Sequence, residues 1–313
     1  MFVRIKKMPM KILAQNKKKL SVSIKIIKDT FQGFIDDNVM RLSASLAYAT
    51  LFSIIPLLSL LVTIGVLLNI DFTNQLYAQL EPIVGSKVID ALQAIMENAE
   101  TTDSFSFATI ISIGVTIFGA TTVFAEIQSS LNTIWGIKAV PKKSWLKYII
   151  NRLLSFSFIL VITFTITNLI TDISNKFITN NPDIAESLVK TIGMIINIGV
   201  TTVIFTLIFK ILPDAKIKSK DVIIGALVTT VLLLIGQWGI SFYIGFANIE
   251  TVYGAAAFMA IFITWIYYSA IIIYTGAEFT KAWANELGGK IFPDEYAVAT
   301  KVIEIREENK PVN

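Results

Sequence analysis

The 313-residue chain contains no cysteine and no histidine. Without cysteine it can form no disulfide, no thiolate nucleophile and no cysteine-ligated metal site of its own. Without histidine it can form no Ser-His-Asp triad, no histidine proton relay and no histidine metal site. The sequence also lacks a Gly-rich phosphate loop ending in Lys and Ser or Thr, and its spans carry no paired aspartates. We therefore predict no catalytic, metal-binding or cofactor-binding residues, and no cofactor.

Charge is scarce as well, since Asp, Glu, Lys and Arg make up 16% of the chain while 54% is hydrophobic. Soluble domains carry about 25% charged residues. Six stretches have no formal charge at all, and each is long enough to cross a hydrocarbon core of about 30 Å as a helix. These stretches are 42–69, 105–125, 153–171, 191–209, 222–249 and 251–277. The predicted fold class is all-α, a polytopic membrane bundle of six transmembrane helices.

The segments between these stretches alternate in lysine and arginine content. Segments 1–41, 126–152 and 210–221 are rich in basic residues, and the C-terminal segment 278–313 carries five. Segment 70–104 has one basic residue against six acids, segment 172–190 has two against three, and the short loop at Glu250 has none. Basic flanks are retained in the cytoplasm during insertion, so both termini are expected to be cytoplasmic. The same rule accounts for the net charge of +4 and the pI near 9.0 without invoking nucleic acid.

Two segments outside the spans show helical spacing of apolar residues. Leu20, Ile24, Ile27, Phe31 and Phe34 recur at steps of three or four, which predicts an N-terminal amphipathic helix. This helix would lie on the cytoplasmic leaflet or pack under the bundle, and a soluble partner helix is the alternative. The outer loop 70–104 is predicted to be helical too. The predicted organisation is a basic cytoplasmic segment at 1–41, the transmembrane domain at 42–281 and a cytoplasmic tail at 282–313.

Polar side chains in or beside the spans are candidates for a polar gate or a substrate contact, because polar groups in lipid are costly. Pro56 and the polar residues before it predict a kinked first span, although close helix packing is an alternative explanation. Glu126 and Glu278 end spans two and six, and they predict a carboxylate–arginine network at the cytoplasmic mouth or, alternatively, interfacial anchors. The candidates are Arg41, Tyr48, Ser53, Pro56, Glu126, Asn132, Trp135, Arg152, Tyr253, Trp265 and Glu278.

Several phrases resemble the YihY/BrkB family over about residues 25 to 285. They are SASLAY running into LFSIIP at 43–56, LNTIWG at 131–136, LP at 212–213 followed by GA at 225–226, TVYGA at 251–255, WIY at 265–267 and GAE at 276–278. The resemblance implies a six-span protein of the bacterial cytoplasmic (inner) membrane. The family has carried a ribonuclease BN label, but the missing histidines and the missing acidic cluster argue against a nuclease here.

These observations favour transport or export of a lipid or other amphiphilic small molecule, without an ATPase in this chain. The alternative is a structural or assembly membrane protein that acts through partners. An intramembrane enzyme is the third hypothesis, and because no catalytic constellation is found the chain is not expected to be an enzyme. The expected partners are membrane lipids and an amphiphilic substrate, nucleic acid is not expected, and formation of a homo-oligomer is left open.

Overall fold

A computed structural model describes residues 10–67, 107–140, 186–246, 257–295 and 297–300. The predicted third span, 153–171, and the predicted helical outer loop, 70–104, lie outside these residues. The described helices are α1 (Met10–Asp36), α2 (Val39–Leu67), α3 (Phe107–Ile134), α4 (Glu186–Ile211), α5 (Ser219–Phe246) and α6 (Ala257–Glu286). The described strands are β1 (Ile137–Ala139), β2 (Ala215–Lys216), β3 (Phe292–Pro293) and β4 (Ala297–Ala299).

Helices α2 to α6 coincide with five of the charge-free stretches. Three apolar segments, Gly193–Ile211, Ser219–Ile240 and Ile261–Glu286, are long and apolar enough to cross a membrane. The mainly helical architecture is thus confirmed, and the full count of six transmembrane helices stays a prediction.

Two helices continue beyond the ends of their charge-free stretches, into segments that contain charged residues. α3 runs nine residues beyond Ala125 to Ile134, and α6 runs nine residues beyond Ala277 to Glu286. Charged residues are compatible with a helix. α3 ends instead just before Gly136, whose φ of 64° suits glycine and whose N–H donates to Thr133 O. The predicted loop at 126–152 therefore begins as helix, and Glu126 and Glu278 belong to continuous helices.

The bundle is organised around α6, which packs against α1, α2, α3 and α5, while α2 also packs on α3 and α4 on α5. Close approach of α5 and α6 depends on Gly225, because a Cβ there would lie 1.8 Å from Oγ1 of Thr280. The fully buried side chains of the core include Val39, Leu131, Ile134, Phe209, Val222 and Tyr274.

Two short antiparallel ribbons join one end of the bundle, and neither is expected from an all-α prediction. β1 pairs with β4, with Ile137 opposite Ala299, and β2 pairs with β3, with Ala215 opposite Pro293. Strands of two or three residues are too short to show a two-residue alternation in the sequence. Part of the predicted cytoplasmic tail at 282–313 thus folds back onto the ends of α3 and α4.

α1 is the predicted amphipathic helix, but not all of the apolar residues that the sequence spacing groups together lie on one face. Ile26 and Gly33 face the bundle, whereas the apolar residues on the opposite side are exposed. Phe34, which the sequence groups with the exposed stripe, is partly buried against the core. The exposed stripe consists of Leu20, Ile24, Ile27, Phe31 and Ile35.

Candidate functional site

A buried carboxylate lies at the contact between α1 and α6. Glu278 of α6 is only 1% exposed, and its carboxylate packs directly against Gly33 of α1. A Cβ at position 33 would lie 2.3 Å from Oε2 of Glu278. The glycine in α1 therefore makes room for the acid in α6, and α1 covers it.

One lysine serves two acids at this contact. Nζ of Lys281 lies 2.8 Å from Oδ2 of Asp37 and 3.4 Å from Oε2 of Glu278. Within the described part of the chain, Oε1 of Glu278 is buried without a hydrogen-bond partner. A buried oxygen of this kind is costly, because the water it loses on burial is not replaced by another donor. We call Asp37, Glu278 and Lys281 the acid–lysine cluster.

A second ion pair holds α1 to α6 further along the same contact. The ammonium of Lys25 donates to Oε1 of Glu286, and this hydrogen bond raises the pKa of Lys25. Ion pairs at exposed positions contribute little to stability, because solvent screens them. α1 is therefore attached partly through polar pairs that separate at modest cost.

A second polar cluster joins α3 to the connection between α4 and α5. Asp214 is 6% exposed, and its Oδ2 accepts hydrogen bonds from Nε2 of Gln128 at 2.7 Å and from Nδ2 of Asn132 at 2.8 Å. Asn132 and Asp214 also form a second hydrogen bond, because Oδ1 of Asn132 accepts from the backbone N–H of Asp214 at 2.9 Å. An adjoining cavity of about 310 Å³ is lined by these three residues together with Lys138. We call Gln128, Asn132 and Asp214 the amide–aspartate cluster.

Trp135 connects the two regions. Its Nε1 donates to the carbonyl of Ala277 at 3.1 Å, one residue before Glu278, and its ring meets Phe209 edge-on. The LNTIWG phrase thus has a local explanation: Leu131 and Ile134 fill the core, Asn132 binds Asp214, Trp135 binds α6, and Gly136 ends the helix.

The structure distributes the remaining sequence candidates along α2, α3 and α6. Arg41 and Tyr48 are exposed on α2, and Ser53 is buried there. Pro56 belongs to α2, but its side chain lies outside the described set. Glu126 is half-buried on α3 and Trp265 is 36% exposed on α6. Arg152 and Tyr253 lie outside the described residues, so the predicted carboxylate–arginine network stays a prediction.

Four residues of these clusters, and Gly33 beside them, are absent from the candidates that the sequence alone provides: Asp37, Gln128, Asp214 and Lys281. Asp214 directly follows the Leu212-Pro213 phrase, but only the fold brings it to Asn132, 82 residues away. Asp37 likewise meets Lys281 across 244 residues. Among the described residues, no group of three or more acids, histidines or cysteines could hold a metal ion.

Comparison with known proteins places these clusters in a family context. A family model described as Virulence factor BrkB matches residues 30–295, which include α2 to α6 and all the residues of both clusters. No solved structure matches the chain.

Curated relatives agree with that match. A UPF0761 membrane protein of Chromobacterium violaceum is 27% identical over 78% of this chain and 58% of its own length. The UPF0761 membrane protein RC1_0578 of Rhodospirillum centenum is 23% identical over 87% of this chain and 60% of its own length. The chain thus spans about three fifths of these relatives. Because the family model covers most of the chain, from α1 to the β2–β3 ribbon, this protein belongs to the virulence factor BrkB family of membrane proteins.

Proposed function

We propose that the protein moves a lipid or another amphiphilic small molecule across or out of the bacterial cytoplasmic membrane, with both termini in the cytoplasm. One observation carries the proposal: Glu278, the buried member of the acid–lysine cluster, is covered by a helix whose outer face is apolar. An amphiphile needs both kinds of surface, since its headgroup requires polar partners and its tail requires an apolar path.

In this proposal α1 acts as a movable cover over the acid–lysine cluster. Glu278 and Lys281 lie beneath α1. α1 is held there by Lys25 and by Asp37 in the turn that follows α1, and both form ion pairs with α6. Displacing α1 would expose the cluster while its apolar stripe stays in the lipid interface. A headgroup that offers a donor to the unpartnered Oε1 of Glu278 would then offset part of the cost of opening.

Exposed aromatic residues on α2 supply a surface for the tail. Tyr48 and Phe52 are 68% and 65% exposed, and their ring centroids lie 4.8 Å apart. They follow Arg41, which is exposed near the start of the same helix. This order, a cation followed by aromatic surface, suits a molecule with a polar head and an apolar tail.

Reconstitution in liposomes tests the proposal. Fluorescent phospholipid is placed in both leaflets, and dithionite quenching from outside measures its movement between them. Wild-type protein should accelerate that movement, and Glu278→Gln or Lys281→Met should slow it about tenfold, the factor that corresponds to roughly 1.4 kcal/mol. Glu295→Gln, which removes an exposed acid outside the cluster, is the matched control. Movement no faster than in protein-free liposomes would refute lipid movement, and full activity in both variants would refute the role of the cluster.

The exposed stripe on α1 also supports a second candidate, a structural or assembly protein that recruits a partner through this helix. The two candidates differ in what a deletion of residues 1–35 should do. An assembly role predicts loss of every cellular phenotype on deletion but none in the Lys281→Met variant. Transport predicts that both changes alter flux.

A further inference from the structure

A basic recess lies where α5 begins and α6 ends. It has a volume of about 270 Å³ and is lined by Lys216, Ile217, Lys218, Gly289, Lys290 and Phe292. Half of this described lining is lysine, and it contains no acid. The recess is separate from both the acid–lysine cluster and the amide–aspartate cluster.

Two of the three lysines are held in place by the ends of the helices. The carbonyl of Lys218 accepts hydrogen bonds from the backbone N–H groups of Asp221 and Val222, at 3.0 and 3.2 Å, in the first turn of α5. Its side chain crosses Gly289, where a Cβ would lie 2.3 Å from Cε of Lys218. Lys290 adopts a φ of 60° and donates its N–H to Ala284 O at 3.1 Å.

The acids near the recess do not form ion pairs with all three of its lysines. Asp294 pairs with Lys216 at 3.0 Å, and this hydrogen bond raises the pKa of Lys216 and keeps it charged. Asp221 is buried and accepts from the N–H of Gly289 at 2.9 Å. Neither Lys218 nor Lys290 forms an ion pair with a described residue. The lining therefore presents the ammonium groups of Lys218 and Lys290 to an anionic ligand, beside the Lys216–Asp294 pair and the nearby Glu295.

An exposed apolar stripe leads away from the recess along α5. Its residues recur at steps of three or four over twenty residues, a rise of about 29 Å, which matches the hydrocarbon thickness of a bilayer. At the far end Trp238 is 76% exposed and stacks on Phe242 with ring centroids 6.3 Å apart. The stripe consists of Ile223, Leu227, Val231, Ile235, Trp238 and Phe242.

We propose that this recess binds the phosphate of an anionic phosphate ester, which the α5 stripe identifies as the headgroup of a phospholipid. Lysines act as point charges toward phosphate oxygens, and basic pockets at the ends of transmembrane helices suit anionic headgroups. The acyl chains would lie along the stripe, with Phe292 exposed beside the glycerol region. This site does not depend on transport, and it fits equally a lipid that stays bound.

Native mass spectrometry of the full chain in detergent tests the site. The protein is titrated with phosphatidylglycerol and, separately, with glycerol 3-phosphate, which carries the same phosphate chemistry without acyl chains. The triple variant Lys216→Gln, Lys218→Gln, Lys290→Gln should bind phosphatidylglycerol about tenfold or more weakly than the wild type. The control variant Lys17→Gln, Lys18→Gln, Lys19→Gln loses the same charge from α1 and should bind nearly as well as the wild type.

A second pair of substitutions separates the two sources of phosphate. Ile223→Ser with Leu227→Ser should weaken binding of phosphatidylglycerol but leave binding of glycerol 3-phosphate unchanged. If the stripe variant binds both phosphatidylglycerol and glycerol 3-phosphate as well as the wild type does, the site takes a free phosphate ester and the lipid assignment is wrong. If the triple variant binds both ligands as the wild type does, or if the α1 control loses as much affinity as the triple variant, the site itself is refuted.

Discussion

Gly276 of α6 lies directly against Thr229 of α5, so that a Cβ on the glycine would be 1.9 Å from Oγ1 of the threonine. The contact is reciprocal with the one between Gly225 and Thr280. Thr229 donates to Gly225 O at 2.8 Å, and Thr280 donates to Gly276 O at 2.7 Å. Each threonine bonds to a glycine of its own helix and packs on the glycine of the other, which lets the two backbones approach closely.

Replacing Gly276 should therefore destabilise the bundle. In Gly276→Ala the new methyl group overlaps Thr229, whose Cβ and Cγ2 are also within 3 Å of it, and overpacking of this kind costs roughly 1–3 kcal/mol. The thermal unfolding midpoint in detergent should fall. The matched control is Gly199→Ala in α4, where a Cβ meets nothing within 4 Å and alanine gains up to about 1 kcal/mol in helix propensity. Equal midpoints for the two variants would contradict the reciprocal contact.

Enlarging Gly33 should detach α1 from α6. In Gly33→Val the side chain would occupy the position of the Glu278 carboxylate, 2.3 Å from the place of the added Cβ. Trypsin should then cleave more rapidly after the lysines at 17–19. The second substitution Glu278→Ala removes the obstructing carboxylate and should restore protection, whereas Gln32→Ala on the exposed side of α1 should leave the cleavage rate unchanged. Cleavage that is equally fast with and without Glu278→Ala would show that the contact is not what holds α1.

The amide–aspartate cluster should contribute to stability through its buried hydrogen bonds. Asp214→Ala leaves the amide groups of Gln128 and Asn132 without their shared acceptor, at a cost of about 1–3 kcal/mol for each buried group. Thermal unfolding should show a clear loss. Thr133→Ala on the exposed side of α3 removes only a hydroxyl that bonds to Ser129 O, and its midpoint should match that of the wild type. A midpoint for Asp214→Ala within error of that control would argue against the cluster.

The exposed stripe of α1 should lie in the lipid interface. The chain has no cysteine, so a single introduced cysteine can carry a spin label. In liposomes a label at Ile27→Cys should be reached by oxygen and shielded from a water-soluble nickel chelate, because it replaces an apolar residue of the stripe. A label at Gln32→Cys, on the polar flank, should show the opposite preference. If both labels are equally accessible to the nickel chelate, the stripe faces water or a partner rather than lipid.

The charge-free stretches predict the positions of α2 to α6 but not where these helices end. The absence of charge at 105–125 and 251–277 marks apolar segments of α3 and α6. These helices nevertheless continue to Ile134 and Glu286, where the backbone N–H groups of Gly136 and Leu287 cap the last turns. Capping depends on local conformation, and the left-handed φ of Gly136 could have been suspected from a glycine that follows a long helical pattern.

The polar clusters were predicted only in part, because their members come from distant segments. Glu278 and Asn132 are candidates because they are polar groups next to apolar stretches, which is a local property. Asp214, which binds Asn132, and Asp37, which meets Glu278 through Lys281, lie in connections that look ordinary in sequence, and tertiary packing alone makes them neighbours. The Gly-xxx-Thr spacing at 225–229 and 276–280 was a usable signal for the α5–α6 contact.

The two β-ribbons have a consequence for the order of assembly. β3 and β4 are synthesised after every described helix, and they pair with β2 and β1, which precede them by many residues. The N–H of Thr300 also donates to Gly136 O at 2.8 Å, which joins the end of α3 to a late part of the chain. During translation this end of the bundle therefore stays open until α6 has left the ribosome. Closure of the ribbons is thus a late step in biogenesis.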